Sequence, residues 1–536
     1  MKQILLSLTA LIAIFQANAQ ESLQQSIANE QRKLGMALYA AAAFYVDSTS
    51  VNKLSEDAII GMLSKLDPHS SYSDPEETRE LNEPLQGNFD GVGIQFNILN
   101  DTVYIVQVIS GGPSEKVGIQ AGDRIILIND TLVAGIKFKN TDVQKRLRGP
   151  RGTIVRVSIK RRNIPGLLEY TITRGAIPVY SIDASYMVDE QTGYIRLSRF
   201  AAQSANEFRS AFAKLKSQGL KKLILDLQNN GGGYMNIAVD IVNEFLSANK
   251  LIVYSEGNHQ PRQDDHSTSG GLFETGPLVI MVDEASASAS EILAGALQDW
   301  DRAVILGRRT FGKGVVQKPF VLPDGSMIRL TVSRYYTPSG RSIQKPYENG
   351  NNEQYRHELI DRYNRGELMS ADSIHFPDSL KFQTLTAHRT VYGGGGIMPD
   401  VFIPVDTTLF SDYHRKLVAN GLVNRLAMTY ADANRDHLKL FHPDIASFKS
   451  FFNVPATLLD DLIAQAEADK IPLDSAQYNR SLPLITLQIK ALIARDLFDI
   501  SEYFEIINEA NESYKAAVAL INDEQRYHNM LAQRRK

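Results

Sequence analysis

Cysteine is absent from all 536 residues. This excludes a thiol nucleophile, disulfides, thiolate metal sites and a lipid-modified N-terminal cysteine. A strong charge of either sign is also missing, and a net charge of −4 gives no case for nucleic acid as a partner. The ten histidines form no H-x-x-x-H pattern. His437 and His442 stand at i and i+5, which does not share a helix face. No metal and no cofactor is therefore expected. Beyond the N-terminus no apolar run approaches the roughly 20 residues that span a bilayer, so no transmembrane segment is expected in the mature chain. Internal repeats and low-complexity tracts are lacking as well.

What is present begins with Lys2, an apolar stretch from Ile4 to Phe15, and Ala17-Asn18-Ala19. These read as the three parts of a secretory signal peptide cleaved after Ala19. The expected location is therefore outside the cytoplasm, in the periplasm. An exported chain without disulfides must rely on its cores, and this one is long enough to build several.

The texture of the chain divides it. Residues 1–19 are the signal peptide, and 20–85 read as helical until Asp67-Pro68-His69 breaks the pattern. Residues 86–162 alternate over short strands separated by glycine turns, as expected of a small β module. From 163 to 405 strands alternate with helices, an α/β layered core, with a polar, broken excursion at 345–385. Residues 406–536 read almost wholly as helix. The fold class is α/β multidomain.

Two segments carry candidate chemistry. Ser286-Ala287-Ser288-Ala289-Ser290-Glu291 follows the apolar run from Pro277 to Val282, and Phe311-Gly312-Lys313-Gly314 follows the run from Ala303 to Leu306. A lysine buried beside a serine can act as its base, provided desolvation keeps the amine neutral. Ser288 with Glu291 is equally a capping box, which needs no catalysis. The two readings are compatible, because a helix N-terminus also stabilises an oxyanion. Gly307-x-x-x-x-Gly312-Lys313 imitates a P-loop, but Gly314 stands where Ser or Thr is required, and the following Val315-Val316-Gln317 reads as strand. On a strand Gln317 shares the face of Lys313 and could orient its amine; a surface lysine in a turn is the alternative.

Gln228-Asn229-Asn230-Gly231-Gly232-Gly233 lies between a buried strand and a helix. Its glycines suit either an oxyanion hole or a tight turn. Gly91-Val92-Gly93-Ile94 opens the β module and could cup a terminal carboxylate while the adjacent strand edge pairs with a peptide, or form a glycine-rich hairpin. His69 could be a base or a turn residue.

Taken together and in order, these segments resemble the carboxyl-terminal processing, or tail-specific, serine peptidases. The resemblance runs over roughly residues 35–405 and includes Leu66 to Tyr72, Ala121 to Ile125, Leu147-Arg148-Gly149, Gly193 to Arg196 and Gln298-Asp299. It implies a peptidase core of the crotonase and Clp-protease type with an inserted PDZ-like domain and a helical C-terminal region. It also implies Ser288 as nucleophile, Lys313 as base, and Gln317 as support for the lysine. The oxyanion hole would be Ala289 N–H with Gly231, Gly232 and Gly233, and Gly91, Val92, Gly93 and Ile94 would hold substrate tails. One departure is Gln228, where the family usually has Arg. The helical tail lies outside the resemblance and could serve an adaptor or homo-oligomer contact. The competing class is a non-catalytic PDZ scaffold of the cell envelope, for which the capping box suffices.

Overall fold

The computed structural model describes residues 2–532, with side chains from residue 23 onward. The expected signal peptide falls on residues whose side chains lie outside those described. Two compact units result. One comprises Met1–Glu76, Gln317–Thr331 and Tyr347–Arg356; the other comprises Glu77–Val316, Val332–Pro346 and His357–Lys536.

In the first unit, helices Lys2–Phe44 and Val51–Leu63 precede the predicted break. Asp67 makes that break a turn: its carboxylate accepts the N–H groups of His69 and Ser70 at 2.8 and 2.9 Å, and the Ser70 hydroxyl at 2.6 Å. Side-chain acceptance two and three residues on replaces the helical bond that Pro68 cannot make. The strand Ser71–Ser73 then pairs antiparallel with Met327 to Arg329. The apolar residues Leu34, Met36, Ile60 and Met62 of the helices are exposed. Among the described residues no helix is long and apolar enough to cross a membrane.

The second unit is built on a six-stranded sheet in the order Ile182–Met187, Thr192–Leu197, Lys222–Asp226, Leu278–Val282, Val304–Gly307, Val401–Phe402. All neighbours run parallel except the first pair. Parallel strands are buried on both faces and read as unbroken apolar runs, as Leu278–Val282 does. One face packs under helices Ser204–Ser217, Met235–Asn243 and Ala289–Asp299. The other presents Tyr194, Ile224, Val279, Met281, Val304 and Leu306 to Ala517, Leu520, Ile521 and Tyr527 of the C-terminal helices Glu512–Asn522 and Glu524–Ala532. The core expected to end at 405 is thus completed by the last helices, because a parallel sheet needs both faces covered. Tyr527 bonds the start of its central strand, accepting from Leu278 N–H at 2.9 Å.

The β module forms a sheet ordered Ile94–Leu99, Thr102–Val108, Arg124–Ile128, Ile154–Lys160, Leu168–Thr173. It runs past the expected boundary at 162 because the outer edge of Ile154–Lys160 takes a further antiparallel strand. Within that sheet Ile94–Leu99 is an edge, paired only with Thr102–Val108. Helix Asn140–Leu147 packs on the module through Val143 and Leu147. Buried Arg174 holds the helix end, donating to the carbonyls of Leu147 at 2.9 Å and Arg146 at 2.8 Å.

Helices between Asp412 and Ile507 enclose their own core around Leu426, Phe448, Leu462 and Ile489. They also meet the β module, where Met428 packs with Leu99, Tyr104 and Val106 and Arg124 bonds Asp432 at 2.5 Å. The excursion read as a broken loop contains helix Asn352–Asn364.

Candidate active site

Strand Leu278–Val282 delivers the chain to a turn that sorts the three serines. Ser286 and Ser290 are buried, and their hydroxyls donate to the carbonyls of Leu227 at 2.7 Å and Asn230 at 2.8 Å. Ser286 thus staples this turn to the end of the neighbouring strand and Ser290 to the Asn229–Gly233 segment. Ser288 is half-buried, and its hydroxyl makes no cap hydrogen bond to the helix that follows. Its backbone sits at φ 57°, ψ −112°. A non-glycine residue held there stores roughly 1–3 kcal/mol of strain, and the elbow presents its side chain at the N-terminus of helix Ala289–Asp299.

The glycine segment presses against this elbow. Asn230 is fully buried and donates to Leu197 carbonyl at 2.8 Å while accepting Gly232 N–H at 2.9 Å. Gly232 has φ +100°, and a Cβ there would stand 2.9 Å from Ser288 Cβ and 3.0 Å from Ala289 N. Glycine is therefore required for a close approach, not merely for a turn. The Gly232 N–H is engaged by Asn230, so of the four expected oxyanion donors it is the one already committed.

Glu291 ties the serine and lysine segments together. Its carboxylate accepts the Ser288 N–H at 2.8 Å, the Gly312 N–H at 2.7 Å, the Lys313 N–H at 2.9 Å and the Thr310 hydroxyl at 2.5 Å. Burial pushes its carboxyl up to about 7, against the lowering effect of those donors. Tyr335 makes a second tie, its hydroxyl 2.6 Å from Lys313 carbonyl and 3.1 Å from Ser288 carbonyl. Two residues 25 positions apart are thus held by backbone bonds to the same two side chains. Strand Val315–Val321 follows the lysine, as the failure of the P-loop pattern requires.

Behind the lysine segment lies a buried ionic cluster. Arg362 donates to the carbonyls of Arg309 at 2.6 Å and Thr310 at 3.1 Å, and Arg309 pairs with Glu367 at 2.5 Å. Burial lowers Arg362 to about 10. Lys345, also lowered by burial, pairs with Glu358 at 3.0 Å and lies 4.0 Å over the Phe311 ring.

Gln317 belongs to the first unit, where its amide donates to His69 carbonyl at 2.5 Å. His69 is a turn residue whose Nε2 lies 2.9 Å from the Tyr355 hydroxyl. At Gln228, the Asn511 amide donates to the side-chain oxygen at 2.9 Å. Buried Asp226 is bonded by Arg196, which also donates to Gln228 carbonyl at 2.9 Å. In the β module Val92 lies in the core, and its carbonyl accepts Ser114 N–H at 3.0 Å. Gly93 has φ +78°, and a Cβ would meet Ile177 at 3.1 Å. Sequence reasoning missed Glu291 as anything but a cap, and Tyr335 and Arg362 altogether; an acid three residues after the serine was the one available signal.

The pattern of Peptidase family S41 matches residues 191–350, that of a PDZ domain residues 104–161, and that of a family of unknown function residues 413–499. The carboxy-terminal-processing protease of Bartonella bacilliformis is 35% identical over 304 residues, covering 56% of this chain and 69% of that protein. The carboxyl-terminal-processing protease of Synechocystis is 38% identical over 294 residues, covering 54% and 68%. Among solved structures, a photosystem II D1 C-terminal processing protease is 30% identical with a TM-score of 0.32, covering 57% of this chain and 88% of that one.

Proposed function

Because this chain belongs to the carboxy-terminal-processing serine peptidases of family S41 and carries a PDZ domain, we propose that it cleaves exported proteins held by their C-terminal tails, using Ser288 and Lys313 as a dyad. Neutral Lys313 takes the Ser288 proton as the hydroxyl attacks the scissile carbonyl. The oxyanion rests on Ala289 N–H and on N–H groups of the glycine segment, Gly231 and Gly233, with Gly232 shaping the wall. The leaving amine departs protonated, an acyl-enzyme remains on Ser288, and water releases it with Lys313 again accepting the proton. Gln317 orients the lysine, and Gly91 to Ile94 receive the substrate's terminal carboxylate.

The observation that carries this reading is the shared clamp: Glu291 and Tyr335 each bond the backbone at both Ser288 and Lys313. The strained elbow at Ser288 supports it. The signal-peptide reading of residues 1–19 supports a periplasmic site of action, and the C-terminal helices would offer surface for an adaptor or a second copy of the chain.

A fluorophosphonate probe tests the nucleophile. Wild type should label and Ser288→Ala should not; equal labelling of both would remove Ser288 from the role. Lys313→Ala should lose both labelling and cleavage of a tail-bearing protein. Unchanged turnover would require another base.

A further inference from the structure

A cavity of about 460 Å³ lies where the β module meets the C-terminal helices. From the module it is lined by Asn97 to Leu99, the far end of the edge strand, and by Lys139 and Asn140 at the start of helix Asn140–Leu147. The opposite wall is Asn420, Asn424 and Arg425, around the beginning of helix Leu422–Phe441. No lining residue carries a carboxylate, while two are cationic and four are asparagines.

Its position follows from the direction of the edge strand. A tail whose carboxylate sits at Gly91 to Ile94 pairs antiparallel with Ile94–Leu99 and runs toward Leu99 as it goes upstream. The residue opposite Ile98 is four before the one opposite Ile94. Residues about four to six before the C-terminal one therefore arrive at this cavity, about 3.3 Å further on per residue. Contacts around it fix the far wall to the module: Asn97 donates to Met428 sulfur at 3.1 Å, and Arg162 donates to the carbonyls of Asp432 and Ala433.

We propose that the C-terminal helical region extends the PDZ groove and reads the upstream part of the substrate tail, favouring an acidic side chain four to six residues before the terminus. This rests on the tail-binding reading of the PDZ domain and names its substrate class more closely. Lys139 and Arg425 are the cationic determinants, and the asparagines supply neutral hydrogen bonds. Arg425 is shared with Asp469, at 2.8 Å and with both side chains about two-fifths exposed, so the pair is open to exchange with an incoming carboxylate.

The test uses the full chain carrying Ser288→Ala and fluorescein-labelled peptides followed by anisotropy. Two ten-residue tails share their last four residues and carry either Asp or Lys at the three positions upstream of these; a four-residue tail ends short of the cavity. The Asp tail should bind about threefold to fivefold tighter than the Lys tail, the worth of one partly exposed ion pair, with the gap closing in high salt. Arg425→Glu and Lys139→Glu should each abolish the preference. Asp469→Asn, which frees Arg425, should enlarge it, a gain that misfolding cannot imitate. Equal affinity for both long tails while the short one binds overturns this inference alone. Failure of every tail to bind overturns the tail reading and this inference with it.

Discussion

Glu291→Gln tests the clamp most directly. Each carboxylate oxygen accepts two bonds, one from Thr310 hydroxyl and Gly312 N–H, the other from Ser288 N–H and Lys313 N–H. An amide replaces one oxygen with NH₂, so two donors face a donor whichever way it turns. Losing two bonds to a charged acceptor, at about 1.5–3 kcal/mol each, comes to about 3–6 kcal/mol. If that loss falls on the relative placement of Ser288 and Lys313, kcat/KM drops by about a hundredfold to ten-thousandfold. The pH profile separates this from general damage. With the Glu291 carboxyl at about 7, protonation in wild type turns an acceptor into a donor near neutrality, so activity rises as pH passes 7. Stability moves the opposite way. A folded value above the ordinary one of 4.5 means a contribution fully present below pH 4.5 and lost as pH rises through 7, about 3 kcal/mol in all. Both dependences should disappear in Glu291→Gln. A fluorogenic tail-bearing peptide, assayed from pH 5 to 9 alongside urea denaturation, reads both. Wild-type kcat/KM at pH 8 in the variant, or a surviving limb near 7, would refute the reasoning.

Gly232→Ala should keep the fold and lose at least about a hundredfold in kcat/KM, because its Cβ would collide with Ser288 Cβ and Ala289 N; circular dichroism and turnover measure the two. Ser286→Ala and Ser290→Ala should retain fluorophosphonate labelling; Ser290→Ala should lose about 0.5–1.5 kcal/mol of stability, since Asn230 carbonyl keeps Ala287 N–H, and Ser286→Ala about 1–3 kcal/mol, since Asp283 N–H loses its acceptor. Deleting 512–536 uncovers Tyr194, Ile224, Val279, Met281, Val304 and Leu306, a loss on the order of 10 kcal/mol, so the truncated chain should fail to give a cooperative melt. Gln228→Arg should destabilise by about 1–3 kcal/mol, since it sets a buried cation against the Asn511 amide, and Asn511→Asp in the same chain should recover much of that, as a double-mutant cycle would show.

The sheet strands were legible because burial on both faces leaves a compositional mark: Leu223 to Leu225 and Leu278–Val282 are short apolar runs of the length and β-branched content that strands have. Helix Ala289–Asp299 was legible through Ser288 and Glu291, the N-cap serine and the acid three residues on. Helix Asn352–Asn364 was hidden because its buried face is made of Arg362 and Tyr355 rather than aliphatic residues, so no apolar period marks it. Tyr335 was hidden for a different reason. Its hydroxyl bonds two main-chain carbonyls, and the sequence of an acceptor's backbone records nothing of what it accepts. The role of the last helices was invisible as well, since an amphipathic stripe says that a face is covered but not by which sheet.

At Gln228 the C-terminal region reaches the end of the strand that leads to the glycine segment. Asp226 is fully buried and ionised carboxylates in such places need a cation. Arg196, on the adjacent strand, supplies it and stacks 4.5 Å over Phe504 of the helical region. The side-chain oxygen of Gln228 is taken up by Asn511. The same stretch bonds the sheet again where Asn508 donates to Tyr186 hydroxyl at 2.9 Å. An arginine at 228 would lose the contact with Asn511. Asn508 and Asn511 therefore fasten the C-terminal region to the sheet at two points, one of them the end of the strand that leads to the glycine segment.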